Sequence, residues 1–334
     1  MEKTTSNLKN ILITGVSGRI GSALGRELAA GNRVKGLYHR HRPAGRDGAL
    51  LEGMDLQDRS GIKRICSEFK PDYVIHCAGI AHQGRKSVPR ETYLRINCEA
   101  AAGLAEAAFI ANPEVHFIHL SSVSVYGETG LAVPTDESHP CRPAGDYAFS
   151  KLAAEERLAF IKKKEGAGSL RILRLAPVYD AAWHFNLDRR VMLPGRFAFL
   201  RVGDGRQRLS ALALPNLVDY IRFLIDRPMG AMGIPEIVNI CDAAPYSFMD
   251  IIQTYQKTGL HSRLPVIWIP KSAVFLISRI WGLLEPKRKP WVHAVYEKMA
   301  RSLVFDNRKM VQSGFQIRHT LRSVFAGRQT ASTK

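Results

Sequence analysis

Short apolar runs rich in Ile, Val and Leu, separated by amphipathic stretches of helical length, are the feature that most narrows what this chain can fold into. They fall at Asn10–Thr14, Arg33–Tyr38, Tyr73–His76, Val115–Ser121 and Leu170–Leu175. A strand covered on both faces reads as a continuous apolar run, and consecutive parallel strands need a crossover long enough to hold a helix. The intervening segments carry apolar residues at three- and four-residue spacing, as such helices require. The pattern predicts an α/β fold with a doubly wound parallel sheet.

After Tyr179 the alternation is lost, and nine prolines punctuate the chain from Pro194 to Pro290. Residues 1–179 are therefore expected to form a dinucleotide-binding domain of Rossmann type, to which the chain returns around 210–245. Residues 180–330 are expected to form mainly a smaller, irregular α+β lobe that closes over the cofactor and selects the substrate.

The first apolar run leads directly into Gly15-Val-Ser-Gly18-Arg-Ile-Gly21, with helical periodicity through Leu28. Glycines at this junction allow a tight turn, a close approach of backbone to a pyrophosphate and close helix packing, while the helix N-terminus attracts negative charge. Gly15, Ser17, Gly18, Arg19, Ile20 and Gly21 are the candidate cradle. The end of the second run chooses between nicotinamide cofactors, because an acid there would accept from a free ribose hydroxyl. The sequence instead reads Tyr38-His39-Arg40-His41-Arg42. His39 and Arg40 favour a 2′-phosphate, hence NADP(H), with NAD(H) as the alternative. Asp55 and Leu56 stand where a carboxylate can hold the adenine amino group.

Tyr147-Ala-Phe-Ser-Lys151 places a phenol and an ammonium at i and i+4, on one helix face. A nearby positive charge lowers a phenol's pKa from about 10 toward the range useful for proton transfer. Ser122 ends the apolar run some 25 residues earlier. Its hydroxyl can donate to the same substrate oxygen that Tyr147 protonates.

Together these segments resemble the extended short-chain dehydrogenase/reductase family, whose largest groups are nucleotide-sugar epimerases, dehydratases and 4-keto reductases. The resemblance runs nearly end to end, through ILITGVSGRIGSAL, GMDLQD, PDYVIHCAGI, RINCEAAAGL, FIHLSSVSVYG, YAFSK, RILRLAPVYD and FDNRKMVQSGF. It implies that Ser122 and Tyr147 are catalytic, that Lys151 is catalytic and binds the nicotinamide ribose, and that Cys77, Ala78 and Gly79 line the cofactor cleft. It implies further that Asn97 supports the helix behind that cleft and that Pro177 and Val178 flank the nicotinamide. Ser124, Asn186 and Arg208 are the implied substrate contacts, with Arg206 or Ser210 as alternatives to Arg208. Val123 and Ser124 stand where dehydratases of the family carry an acid pair, which argues against a 4,6-dehydratase. The reading is thus an NAD(P)-dependent oxidoreductase acting at C4 of a nucleotide sugar in glycan synthesis, a 4-keto reductase or a 4-epimerase, with the cations tilting it toward the reductase. A non-sugar carbonyl or sterol-like substrate, or cofactor binding without catalysis, are the alternatives.

With 48 Lys and Arg against 30 Asp and Glu, the chain carries a formal charge of +18. The basic residues are spread, with no nucleic-acid-reading motif, and suit a diphosphate ligand better than DNA or RNA. Five cysteines without paired spacing read as reduced thiols of a cytoplasmic protein, and no cluster has metal-ligand spacing. Val266–Leu284 is apolar but interrupted by Pro270, Lys271 and Arg279. It is expected as a buried or interfacial helix, the latter allowing weak peripheral membrane contact. The resemblance also implies a homodimer through the helices carrying Ala100–Ala108 and Ala153–Ile161.

Overall fold

The structure is a computed structural model, and it describes residues 8–43, 49–81, 88–127, 131, 133–166, 168–227, 236–284, 296 and 299–331. The central sheet has seven strands. They are β1 (Asn10–Thr14), β2 (Arg33–Tyr38), β3 (Leu50–Gly53), β4 (Tyr73–His76), β5 (His116–Ser122), β6 (Ser169–Leu175) and, late in the chain, β11 (Ile237–Ile240). Their order is β11-β6-β5-β4-β1-β2-β3, and the pairs β1/β2, β1/β4, β2/β3 and β4/β5 are parallel. This is the doubly wound arrangement predicted from the alternation, with the strand order reversing direction between β1 and β4. In such sheets ligands bind outside the carboxyl ends of the strands at that switch point.

Helices α1 (Arg19–Ala29), α2 (Arg59–Phe69), α3 (Arg90–Tyr93), α4 (Ala100–Ala111) and α5 (Asp146–Glu165) accompany the first six strands. A π turn over Leu94–Glu99 joins α3 to α4. Helix α4 is alanine-rich and buried along most of its length, and α2 and α5 both contact it. Ala101, Ala105 and Ala108 join Leu104, Phe109, Ile65, Phe117 and Leu158 in one apolar core. The methyl side chains let three helices approach closely on one sheet face while keeping high helix propensity. Gly166 ends α5 in the left-handed conformation, φ 65°, that favours glycine at a helix C-terminus.

The chain divides into two compact units. The first comprises residues 1–125, 141–174 and 220–238; the second comprises 126–140, 175–219 and 239–334. The second unit contains β7 (Val178–Tyr179) with β10 (Leu212–Ala213), β8 (Phe199–Val202) with β13 (Val266–Ile269), and β9 (Arg208–Leu209) with β12 (Tyr246–Ser247). Helices α6 (Phe185–Val191), α8 (Phe248–Lys257) and α9 (Lys271–Leu284) also belong to it, and α7 (Leu214–Asp226) begins there. Its core gathers Tyr179, Leu187, Phe199, Phe248, Tyr255 and Phe325. The buried carboxylate of Asp242 accepts from Tyr179 Oη at 2.7 Å, Tyr246 Oη at 2.9 Å and Asn216 Nδ2 at 2.7 Å. Asn216 Nδ2 also donates to the His319 carbonyl, so these polar groups fasten the closing segment.

Two local expectations need revision. The fifth strand runs His116–Ser122, starting and ending one residue later than the apolar run, because Ser122 still extends the strand although its hydroxyl is polar. Val266–Leu284 is not one helix: Pro270 separates β13 from α9, since proline ends a strand's donor row and suits the start of a helix. Nor is it buried, for most of its large apolar side chains are exposed.

Candidate active site

The glycine turn lies at the carboxyl end of β1. Gly15 adopts φ 70°, and its N–H donates to the Leu37 carbonyl at 2.9 Å while its carbonyl accepts from Gly18 N at 2.9 Å. A Cβ on Gly15 would stand 2.8 Å from the Ala78 backbone, and one on Gly21 would stand 2.4 Å from the Gly15 carbonyl oxygen. No side chain larger than hydrogen fits at either position without moving backbone. Gly18 begins α1 with no side-chain cap and no acid lies in the first turn, so the positive end of the helix is offered to an anion. Ser17, Gly18 and Arg19 are exposed there and Ile20 is half-buried. This arrangement fits the pyrophosphate of a dinucleotide.

Thr14 binds the turn to the next strand. Its hydroxyl is 2.9 Å from His76 Nδ1 and accepts from Ala78 N at 3.1 Å, which fixes the segment Cys77-Ala78-Gly79 beside Gly15. Burial pushes the Cys77 thiol up to about 12, so Cys77 is an apolar wall and not a nucleophile. Asn97, in the π turn, accepts from Ile80 N at 2.8 Å and donates to the Ile80 carbonyl at 3.0 Å and to Ser150 Oγ at 2.9 Å. Ser150 donates in turn to the Tyr147 carbonyl at 2.8 Å. One amide thus ties the strand-end loop to the helix that carries Tyr147 and Lys151. π turns are often found at functional sites.

At the end of β2, His39 Nε2 lies 3.8 Å from Asp55 Oδ2, both side chains about half exposed. The other Asp55 oxygen accepts from Gln57 N at 3.0 Å and the Asp55 carbonyl from Asp58 N at 2.9 Å, so Asp55 also holds its own turn. Leu56 packs against the core. Arg40 is exposed.

Ser122, Tyr147 and Lys151 come together in the first unit. The Ser122 and Tyr147 hydroxyls are hydrogen-bonded to each other, a bond that lowers the Tyr147 pKa. Ser122 Oγ also accepts from Ser124 N at 3.2 Å. The Ser124 hydroxyl itself is buried with no hydrogen-bond partner among the described residues. Lys151 Nζ donates to the Leu120 carbonyl at 2.9 Å and would lie 3.6 Å from a Cβ placed on Gly79. Burial lowers its pKa to about 8. The Tyr93 ring stands edge-on to Tyr147 at 6.4 Å between centroids.

The expected lowering of the Tyr147 pKa is reversed in this chain. Burial raises it, the Ser122 hydrogen bond lowers it less, and the Tyr93 hydroxyl adds a small rise. Desolvation disfavours the phenolate. The phenol therefore rests protonated, as a proton donor does.

The remaining candidates belong to the second unit. The Pro177 carbonyl accepts from Leu212 N at 3.0 Å, and Val178 pairs with Leu212. Asn186 Nδ2 donates to the Val178 carbonyl at 3.1 Å, so these two candidates are neighbours. Arg208 has an exposed side chain, and its backbone N–H donates to Ser302 Oγ at 2.9 Å. Arg206 is an exposed neighbour of Asp204, whereas Ser210 is buried and accepts from Phe305 N at 3.0 Å, a structural bond. Residue-by-residue reading missed Thr14, Tyr93 and Ser150. Thr14 had a signal, a polar residue closing an apolar strand before the glycines; the other two depend on helix packing.

The chain is 24% identical over 316 residues to an N-acetyl-alpha-D-glucosaminyl-diphospho-ditrans,octacis-undecaprenol 4-epimerase of Escherichia coli O157:H7, a match covering 93% of this chain and 92% of the relative. The curated relatives that come next, dTDP-glucose 4,6-dehydratases among them, are matched over about half of their own length, 47% and 49%. Among solved structures, the UDP-glucose 4-epimerase of Thermotoga maritima with UDP-glucose superposes with a TM-score of 0.72 at 21% identity, covering 96% of this chain and 99% of that one. A short-chain dehydrogenase/reductase superfamily protein of Agrobacterium tumefaciens with bound NAD gives a TM-score of 0.73 at 22% identity, covering 97% and 98%. These likenesses show the fold. The sequence pattern of the NAD dependent epimerase/dehydratase family matches residues 11–241, and the chain belongs to that family, an NAD(P)-dependent enzyme of the extended short-chain dehydrogenase/reductases.

Proposed function

We propose that the protein moves hydride to and from C4 of a sugar carried on a diphosphate, a nucleotide sugar in the first instance, and so interconverts C4 epimers. The observation that carries this reading is the half-buried Ser122–Tyr147 hydrogen bond beside Lys151, at the carboxyl end of β5 in the same unit as the glycine turn. Bound nicotinamide supplies the hydride acceptor and donor. Tyr147 Oη gives a proton to the substrate oxygen during reduction and takes it back during oxidation. Ser122 Oγ, aimed at the same point, donates to the oxygen while it carries negative charge. The Lys151 ammonium holds a ribose hydroxyl and, when charged, eases ionisation of the phenol. Gly15, Gly18 and Gly21 receive the pyrophosphate. In the second unit, Asn186 and Arg208 are the groups we assign to the substrate's diphosphate.

The relatives favour the epimerase direction. One curated relative matched along nearly the whole chain is named a 4-epimerase of a sugar diphosphate, and the Thermotoga protein is one as well. Both names place the sugar on a diphosphate, in one case linked to undecaprenol and in the other to uridine. Titrating UDP and dTDP against thermal unfolding checks the proposal. At about 100 times its Kd, a nucleoside diphosphate adds about 2.7 kcal/mol of stability and raises Tm by several degrees. No shift with either nucleotide, combined with no interconversion of UDP-sugars, would exclude a nucleotide sugar as the substrate.

A reductase is the second reading, and His39 and Arg40 are what favour it, because an exchangeable NADPH suits net reduction. With no acid at the end of β2, we assign the 2′-phosphate of NADP(H) to these cations. Arg40→Ala is expected to weaken NADPH binding by roughly 10- to 100-fold, the worth of a charge-assisted bond, while leaving NADH binding within about threefold. Equal losses for both cofactors in isothermal titration would remove the assignment. We propose as well that the chain pairs with a second copy through Phe149 and Phe160 of α5 and Ile110 of α4, which are 39, 57 and 67% exposed. A monomer mass on size exclusion would refute that pairing.

A further inference from the structure

In the second unit, β13 and α9 present an apolar face to the outside. Leu276, Ile277, Ile280, Trp281, Leu283 and Leu284 are between 46 and 78% exposed. At about 100° per residue they share one side of α9. The opposite side carries Lys271, Ser278 and Arg279, with Phe275 edge-on to Tyr296. A helix that belongs to a core turns its apolar stripe inward; α9 turns it outward. Beside it on β13, Trp268 is 58% exposed, its indole N–H anchored on the Gly203 carbonyl at 2.8 Å so that the ring stays at the surface. Contiguous apolar surface of this kind marks an interaction site.

Charge identifies the partner. Among the described residues from Leu260 to Leu303 stand four cations, Arg263, Lys271, Arg279 and Arg301, and no acid, with Lys271 paired to Asp204 at 3.6 Å. At 14 residues α9 is roughly 21 Å long, short of the ~30 Å hydrocarbon core of a bilayer. No helix among the described residues is long and apolar enough to cross a membrane. An outward apolar arc, interfacial tryptophans and a basic surround are the features of a helix that lies in a lipid interface.

We propose that α9 and β13 dock the protein on an anionic lipid bilayer, the Leu276–Leu284 arc seated among the acyl-chain ends and the basic residues at the headgroups. This docking does not rest on the catalytic reading. The test is co-sedimentation of the full chain with phosphatidylcholine vesicles and with vesicles that also contain phosphatidylglycerol, alongside tryptophan fluorescence. The unaltered protein is expected to bind the mixed vesicles at least about tenfold more tightly than the neutral ones, with a blue-shifted emission and severalfold weaker binding in high salt. Ile277→Glu with Ile280→Glu, both at exposed positions, is expected to cut binding by about tenfold or more with Tm unchanged. The proposal falls if the chain ignores anionic vesicles, if the double variant binds like the unaltered chain, or if that variant splits a solution dimer without altering vesicle binding.

Discussion

Tyr147→Phe is expected to lower kcat by about 10²- to 10⁴-fold, the usual span for loss of a general acid–base, and to leave cofactor affinity within about twofold. The substitution removes one oxygen from a half-buried ring. It spares the ring's edge contact with Tyr93, the Lys151 bond to the Leu120 carbonyl and the glycine turn. What it deletes is the atom that hydrogen-bonds Ser122. Turnover measured with saturating cofactor, beside a fluorescence titration of that cofactor, separates chemistry from binding. Unchanged turnover would overturn the acid–base assignment, and a parallel loss of cofactor affinity would recast Tyr147 as a binding residue. A pH profile accompanies this result. In the reducing direction Tyr147 must hold its proton, and burial keeps it there. The Lys151 ammonium is fully present well below its pKa of about 8 and disappears as pH rises through it. Rate is therefore expected to fall above about pH 8 in that direction, and a profile flat to about pH 10 would detach Lys151 from the reaction.

Much of the fold was legible because strands buried on both faces advertise themselves. Ile11–Thr14 and Tyr73–His76 are buried without exception, and their apolar runs stand out from any neighbour. Strand β11 was not legible as a strand, since four residues, Ile237–Ile240, become one only by pairing at the edge beside β6. Pattern reasoning also joined Val266–Leu284 into one element, because a sliding apolar count does not register where Pro270 falls, nor which way an apolar arc faces. At the candidate site the glycines, Ser122, Tyr147 and Lys151 were readable from order and spacing. The electrostatics were not. A charge four residues along a helix suggested a lowered phenol pKa, whereas burial raises it, and the desolvation by the surrounding core is not encoded in spacing.

Arg174→Met is expected to be among the most destabilising single changes in the first unit, although neither Arg174 nor its partner was singled out from the sequence. Glu155 on α5 and Arg174 on β6 are 3 and 5% exposed, with Arg174 Nη2 donating to Glu155 Oε2 at 2.6 Å and Nε to the same carboxylate at 3.1 and 3.2 Å. Ser121, one residue before Ser122, donates to that carboxylate as well. Removing the guanidinium strands a buried charge, which costs about 3–5 kcal/mol and lowers Tm on the order of 10 °C. The net worth of the pair is a separate quantity, because each charge was desolvated to form it. Glu155→Leu combined with Arg174→Met is accordingly expected to recover most of the loss, leaving a chain within about 1–2 kcal/mol of the original. Thermal melts of the two single variants and the double variant complete the cycle. If the double variant is as unstable as the sum of the singles, the pair is not coupled and the stranded-charge account fails; if Arg174→Met alone melts with the unaltered chain, the carboxylate is satisfied by other groups.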